Sequence, residues 1–256
     1  MNTFFYLIIF ILGCFFGSFF TLAVYRIPRK EDILIKHSYC PNCNHKLGFL
    51  DLFPIFSYLF LRGKCRYCHN KIRPRYFILE LFSGIVFLLI AISFKIDLYS
   101  FNINIVNLFV YYLYISILFI LAGIDKENIK IERPVLVFGF LFEIIYIIYK
   151  CTLGNFDVYR YVILFIALII LLILSIIDLK RKMKVRYCLQ ILFLSLYIII
   201  FNGGINYAIT VLLTLLTIAF YSVGKKKDKK LPIGFFLCVN NIITILFTNF
   251  ILNYFL

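Results

Sequence analysis

Four cysteines and one aspartate carry the chemistry that stands out in this sequence. Cys40-x2-Cys43, in CPNCNHKL, and Cys65-x2-Cys68, in KCRYCHNKI, are separated by 21 residues. Two such pairs at this separation bring four thiolates to one tetrahedral zinc ion, as in a zinc ribbon. Four protein ligands leave no open position, so the metal would hold the fold rather than act on a substrate. Two disulfides are the alternative reading, and the basic residues around the module argue against it by placing the module in the reducing cytosol. His37, His45 and His69 stand close by and read as surface groups. Asp125, in LAGIDKENIKIERP (121–134), ends an apolar run abruptly. It is either the first wet residue after a membrane helix or one half of a catalytic pair.

The elements that must position these residues are membrane helices. With 256 residues, 63% of them hydrophobic and 15% charged, the chain cannot hide its apolar surface in one soluble core. Eight stretches approach the roughly 20 residues needed to cross about 30 Å of hydrocarbon. They are Thr3 to Tyr25, Tyr76 to Phe94, Phe101 to Ile124, Pro134 to Tyr149, Val158 to Leu179, Cys188 to Phe201, Tyr207 to Gly224 and Leu231 to Tyr254. The first is too long for a signal peptide and lacks a basic start and a small-residue cleavage site, so it reads as a span. The fold class expected is an all-α polytopic membrane protein of about eight spans, with a small zinc-ribbon-like module between the first two. The division expected is 1–25 as first span, 26–75 as zinc-binding module and 76–256 as a transmembrane domain.

Basic residues give the orientation, because they are retained on the cytosolic side. Segments 26–75, 125–133, 180–186 and 225–230 hold eleven, three, five and five, or 24 of the 27 Lys and Arg. With eight spans all four fall on one side, opposite Lys95, Lys150 and Arg160. Both termini then face outside a cytoplasmic (inner) membrane, and residues 26–75 face the cytosol. The net charge of +15 is mostly this bias. KKKDKK (225–230) reads as an anchor at the lipid surface, with no nucleic-acid partner implied.

GSFFTLAVYRIPR (17–29), SYCPNCNHKL (38–47), DLFPIFSYLFLRGKCRYCHNKI (51–72) and RPRYFILELFSG (73–84) resemble, in order and spacing, the N-terminal half of type IV prepilin peptidases. IDKENIKIERP is similar to the segment of that family's first catalytic aspartate, and KLPIGFFL (230–237) to the start of its last helix. The resemblance implies a membrane aspartyl endopeptidase that cuts the basic leader from type IV prepilin or pseudopilin precursors at the cytoplasmic membrane face. It also implies N-methylation of the new N-terminus with S-adenosylmethionine as donor. In those enzymes two aspartates share the work. Asp125 fits the first position. The second lies in a Gly-x-Gly-Asp motif, for which this chain offers only RKMKVRYCLQIL (181–192), without Gly or Asp. Of the seven aspartates, Asp32 and Asp51 belong to the zinc module, Asp97 and Asp157 face outside, and Asp228 sits among lysines. Asp178, in SIIDLKRKMKV, remains as the partner expected for Asp125. The alternative is a degenerate member without peptidase activity, acting as a methyltransferase or as a pilus or secretion assembly component.

Gly63 and Glu80 match family positions tied to methyl transfer. Glu143, about nine residues into the fourth span, matches no motif and reads as a packing hydrogen bond across helices.

Overall fold

A computed structural model describes residues 2–33, 37–95, 103–154, 158–181, 186–223 and 231–254. Helices α1 (Asn2–Arg26), α2 (Phe56–Phe60), α3 (Arg75–Ser93), α4 (Ile103–Asn128) and α5 (Arg133–Thr152) are followed by α6 (Val158–Arg181), α7 (Arg186–Asn202), α8 (Gly204–Val223) and α9 (Ile233–Tyr254). The protein is an all-α polytopic membrane protein. Six helices are long and apolar enough to cross a membrane, and two more, over Tyr159–Ser175 and Arg186–Asn202, are apolar but shorter in their described extent. Helices are what apolar runs of this length must form, because in lipid each backbone N–H and C=O needs a partner within the chain. Among the described residues, strand pairing is confined to two isolated bridges, Tyr39 with Lys46 and Lys64 with Lys71.

The chain forms two compact units, Met1–Ser116 with Asn249–Leu256, and Ile117–Thr248. In the first, α1 lies against α3 through small residues. A Cβ on Gly13 would sit 2.8 Å from Gly84 Cα, and one on Gly17 would sit 2.7 Å from Glu80 Cα. Ser83 Oγ donates to Gly13 O at 2.7 Å. Gly13 and Gly17 are four residues apart, the spacing that lets membrane helices approach at backbone distance. Phe87 fills the core beside them, stacked on Phe16 and, with centroids 4.2 Å apart, on Tyr112.

In the second unit, α5 starts with Pro134 in its first turn, where a missing N–H costs nothing. Ile147, Leu196 and Ile200 form one buried cluster in it. Tyr197 packs over Gly139, where a Cβ would lie 2.9 Å from the ring. Arg160, one of the three basic residues expected opposite the others, donates to Ile199 O and Ile200 O and caps the end of α7. Helices α8 and α9 share a polar ladder. Asn240 Nδ2 donates to Thr217 Oγ1 at 2.9 Å, Asn241 Nδ2 to Thr210 Oγ1 at 3.1 Å, and Thr210 Oγ1 to Thr244 Oγ1 at 3.2 Å. Such bonds hold apolar helices together where no hydrophobic force does.

Candidate functional site

The two CxxC pairs form matching knuckles. In one, Cys40 N–H donates to His45 O and Asn44 N–H to Cys40 O; in the other, Cys65 N–H donates to Asn70 O and His69 N–H to Cys65 O. The residue after each second cysteine, Asn44 or His69, takes a left-handed turn at φ 57° or 58°. All four Sγ atoms lie within 4.8 Å of one another, and Cys40 and Cys68 are 3.9 Å apart. Tetrahedral zinc with Zn–S near 2.3 Å spaces its sulfurs about 3.8 Å apart, so this donor set fits that ion. The Asn70 N–H, against the cost of desolvation and together with Cys65, Cys43 and Asn42, holds the Cys68 thiol down to about 7. Cys43, despite the His45 N–H, is pushed up to about 11 by desolvation and by hydrogen bonding to Cys40 and Cys68. No histidine joins the cluster; His45 instead stacks on Tyr67 at 3.6 Å.

Against these knuckles lies a cavity of about 240 Å³, walled by Cys40 and Cys65, by Tyr25 of α1, Tyr58 of α2, and Tyr76 and Glu80 of α3. Of the two residues expected near methyl transfer, Glu80 lines this cavity. Glu80 Oε2 accepts the Ile55 N–H at 2.8 Å, and Ser18 also bonds this carboxylate. Gly63, at φ 67°, is not in the lining, but a Cβ there would meet Tyr58 Oη at 2.9 Å. Its lack of a side chain leaves Tyr58 its place in the wall. Ile55 holds φ 65°, a conformation that a β-branched residue adopts only under constraint from its surroundings.

Asp125 is not the wet residue after a helix. It lies inside α4 and is 0% exposed. Tyr187 Oη donates to its Oδ1 at 2.9 Å and lies 3.1 Å from Oδ2, which also accepts the Phe235 N–H at 2.9 Å. The same phenol accepts the Ile233 N–H at 3.0 Å. Asp125 and Tyr187 therefore cap the start of α9, where free N–H groups favour an anion. Gly234 makes room, since a Cβ there would lie 3.1 Å from Oδ2. Among the described residues no carboxylate hydrogen-bonds Asp125. Asp178 falls in α6, and its side chain lies outside the described residues. Asp97, Asp157 and Asp228 lie outside them altogether.

Tyr187 was the residue that sequence reasoning passed over. Its signal was its place, in the stretch where Gly-x-Gly-Asp is missing. Glu143 makes no hydrogen bond across helices: it is 2% exposed and neither carboxyl oxygen has a partner among the described residues.

Comparison with known proteins bears on the first unit above all. The model of the bacterial peptidase A24 N-terminal domain matches residues 11–94, which hold the cysteine cluster and the cavity. A prepilin leader peptidase/N-methyltransferase of Vibrio cholerae is 45% identical over 85 residues, 30% of this chain and 34% of that protein. Over this stretch the chain is similar to prepilin leader peptidase/N-methyltransferases. A second protein of that description, from Bacillus subtilis, is 36% identical over 131 residues, 51% of this chain and 50% of that protein. Another, from Klebsiella pneumoniae, is 34% identical over 87 residues, 32% and 38% of the two chains. The chain thus spans about a third to a half of the length of the curated relatives it matches. No solved structure matches it.

Proposed function

We propose that this protein is a multi-pass membrane enzyme of type IV prepilin or pseudopilin precursors that removes their leader and N-methylates the new N-terminus. The methyl-transfer half is the better supported by geometry, and one observation carries it. Glu80 and Tyr58, the ring that packs over Gly63, line one cavity beside the cysteine cluster. S-adenosylmethionine, when bound, supplies an electrophilic methyl group. The lining fits this group, because it offers tyrosine rings and the Glu80 carboxylate to a cation, while its Arg66 is held by Asp51 and its Arg26 by the carbonyls of Asp32 and His37. Glu80 also stands where it can take the proton of an N-terminal ammonium, which must leave before the amine acts as a nucleophile. Zinc held by Cys40, Cys43, Cys65 and Cys68 ties the wall of this cavity together without touching the chemistry.

The leader-cleaving half assigns Asp125 as base on a water and Asp178 as acid on the scissile carbonyl, the division of labour of paired carboxylates. A second reading, methyl transfer or an assembly role without cleavage, is favoured by the Tyr187 phenol, which occupies Asp125 with helix capping. Incubating the purified full chain with a precursor that carries a basic leader and an apolar N-terminal helix separates the two. Cleavage that disappears in both Asp125→Asn and Asp178→Asn supports the pair. Methylation of a leaderless substrate without cleavage of the precursor supports the second reading. Absence of both activities in the metal-loaded chain overturns the proposal.

A further inference from the structure

Residues 49–61, FLDLFPIFSYLFL, connect the two cysteine knuckles, a place where a soluble module would put polar residues. They hold ten apolar side chains and a single charge. That charge, Asp51, is turned back to the knuckles, where Arg66 Nε and Tyr67 Oη bond its carboxylate. The apolar side chains face outward instead: Phe60 is 84% exposed, Phe49 73% and Leu50 69%.

The same segment lies along α1. Phe53 meets Phe15 edge-on with centroids 5.5 Å apart, and Ile11 and Phe15 line one apolar cavity with Phe49, Phe53, Phe56 and Phe60. At 1.5 Å per residue, Phe15 is about 16 Å and Ile11 about 22 Å along the helix from its basic end at Arg26. One leaflet contributes about 15 Å of hydrocarbon, so with Arg26 at the membrane surface Phe15 lies near the bilayer midplane and Ile11 beyond it, both among acyl chains. Phe15, Phe16 and Phe19 on α1 are exposed, as are Phe49, Phe56 and Phe60, and Phe15 shares the apolar cavity with those three.

Irregular backbone survives at such depth only when its polar groups are satisfied by protein. Here many of them are. The N–H groups of Asp51 and Leu52 donate to Gly48 and Phe49, those of Ser57, Leu59 and Leu61 to Phe53, Ile55 and Ser57, and Pro54 has none to satisfy. The N–H of Ile55, between the two short helices, goes to the Glu80 carboxylate of α3.

We propose that residues 49–61 form a wedge inserted among the acyl chains from the side that the cysteine module faces, reaching about the bilayer midplane. That module is then a membrane-embedded platform rather than a soluble loop, with Glu80 anchoring the tip of the wedge. Lipid is the occupant because the wedge packs against the apolar face of a spanning helix, carries no free charge and bonds the N–H groups of Asp51, Leu52, Ile55, Ser57, Leu59 and Leu61 within the protein.

The chain contains no tryptophan, so a single introduced indole reports its surroundings. Phe60→Trp and Phe49→Trp would be compared, in vesicles of phosphatidylcholine, with Leu12→Trp on the lipid face of α1 and Asn70→Trp on an exposed knuckle. Both wedge indoles should emit at short wavelength, be quenched by acyl-chain bromine as strongly as Leu12→Trp, and resist acrylamide. Quenching by acrylamide to the level of Asn70→Trp would overturn the wedge. Protection from both quenchers would overturn lipid as its occupant and point to a second protein surface. Retention of metal and of the thermal transition shows that each variant is folded.

Discussion

Asp125 shows how little a residue's type decides when its neighbours are unknown. The family resemblance makes it a catalytic aspartate, yet the hydrogen bonds described for it belong to helix capping. Tyr187→Phe removes the donor to Asp125 and the acceptor of the Ile233 N–H, leaving buried polar groups unpaired. Such a loss costs about 1–3 kcal/mol, to be read as a lower thermal transition in detergent. Asp51 offers a prediction in pH. Burial acts to raise its carboxyl, but the Gly48 N–H, the Tyr67 hydroxyl and the Arg66 guanidinium outweigh this and hold it below the usual carboxylate range. A depressed folded value means that its stabilisation is complete above the unfolded value of about 3.9 and is lost as pH falls through the folded one. Wild type and Asp51→Asn should therefore differ in melting temperature at pH 7 and converge on acidification. With Arg66 half exposed, the gap stays below about 1 kcal/mol.

Between elements, close approach matters more than hydrophobicity, because lipid tails are as apolar as the helices. A side chain at Gly17 would run into Ser83 Oγ and Glu80 Cα, so Gly17→Val must part α1 from α3. The cost is about 1–3 kcal/mol of overpacking, and it displaces Glu80 from the cavity. Gly204→Ala, with open space around its Cβ, serves as the control and should change stability by less than about 0.5 kcal/mol. Glu143 gives the opposite sign. Its two oxygens are buried without partners among the described residues, so Glu143→Met removes their desolvation cost and should raise stability by about 1–3 kcal/mol in the same melt.

For the whole molecule, the cysteine cluster and the spans rest on different forces. Four thiolates are placed to hold one metal, which would tie the knuckles together, while the helices hold themselves by backbone bonds in lipid. Chelating the metal should disorder residues 37–73 and abolish methyl transfer while leaving the helical circular dichroism of the spans nearly unchanged. A parallel loss of all helical signal would show that the module is not separable in this way.

The polytopic helical class, the long spans and the four-cysteine set were legible because each depends on local chemistry: a run of apolar residues must become a helix in lipid, and C-x-x-C spacing already places two sulfurs on one turn. Gly13 and Gly17 were legible in principle, since their spacing alone signals close helix packing. What only the tertiary structure decided is which distant groups meet. Tyr187 reaches Asp125 from 62 positions away, Ile55 reaches Glu80 from 25, and Gly63 matters through a ring five residues earlier. Those pairings follow from how helices cross and how a turn holds a positive φ. A sequence prints residue types in order, but hydrogen bonds and cavities form between surfaces, and surfaces come to face one another only when the chain has packed.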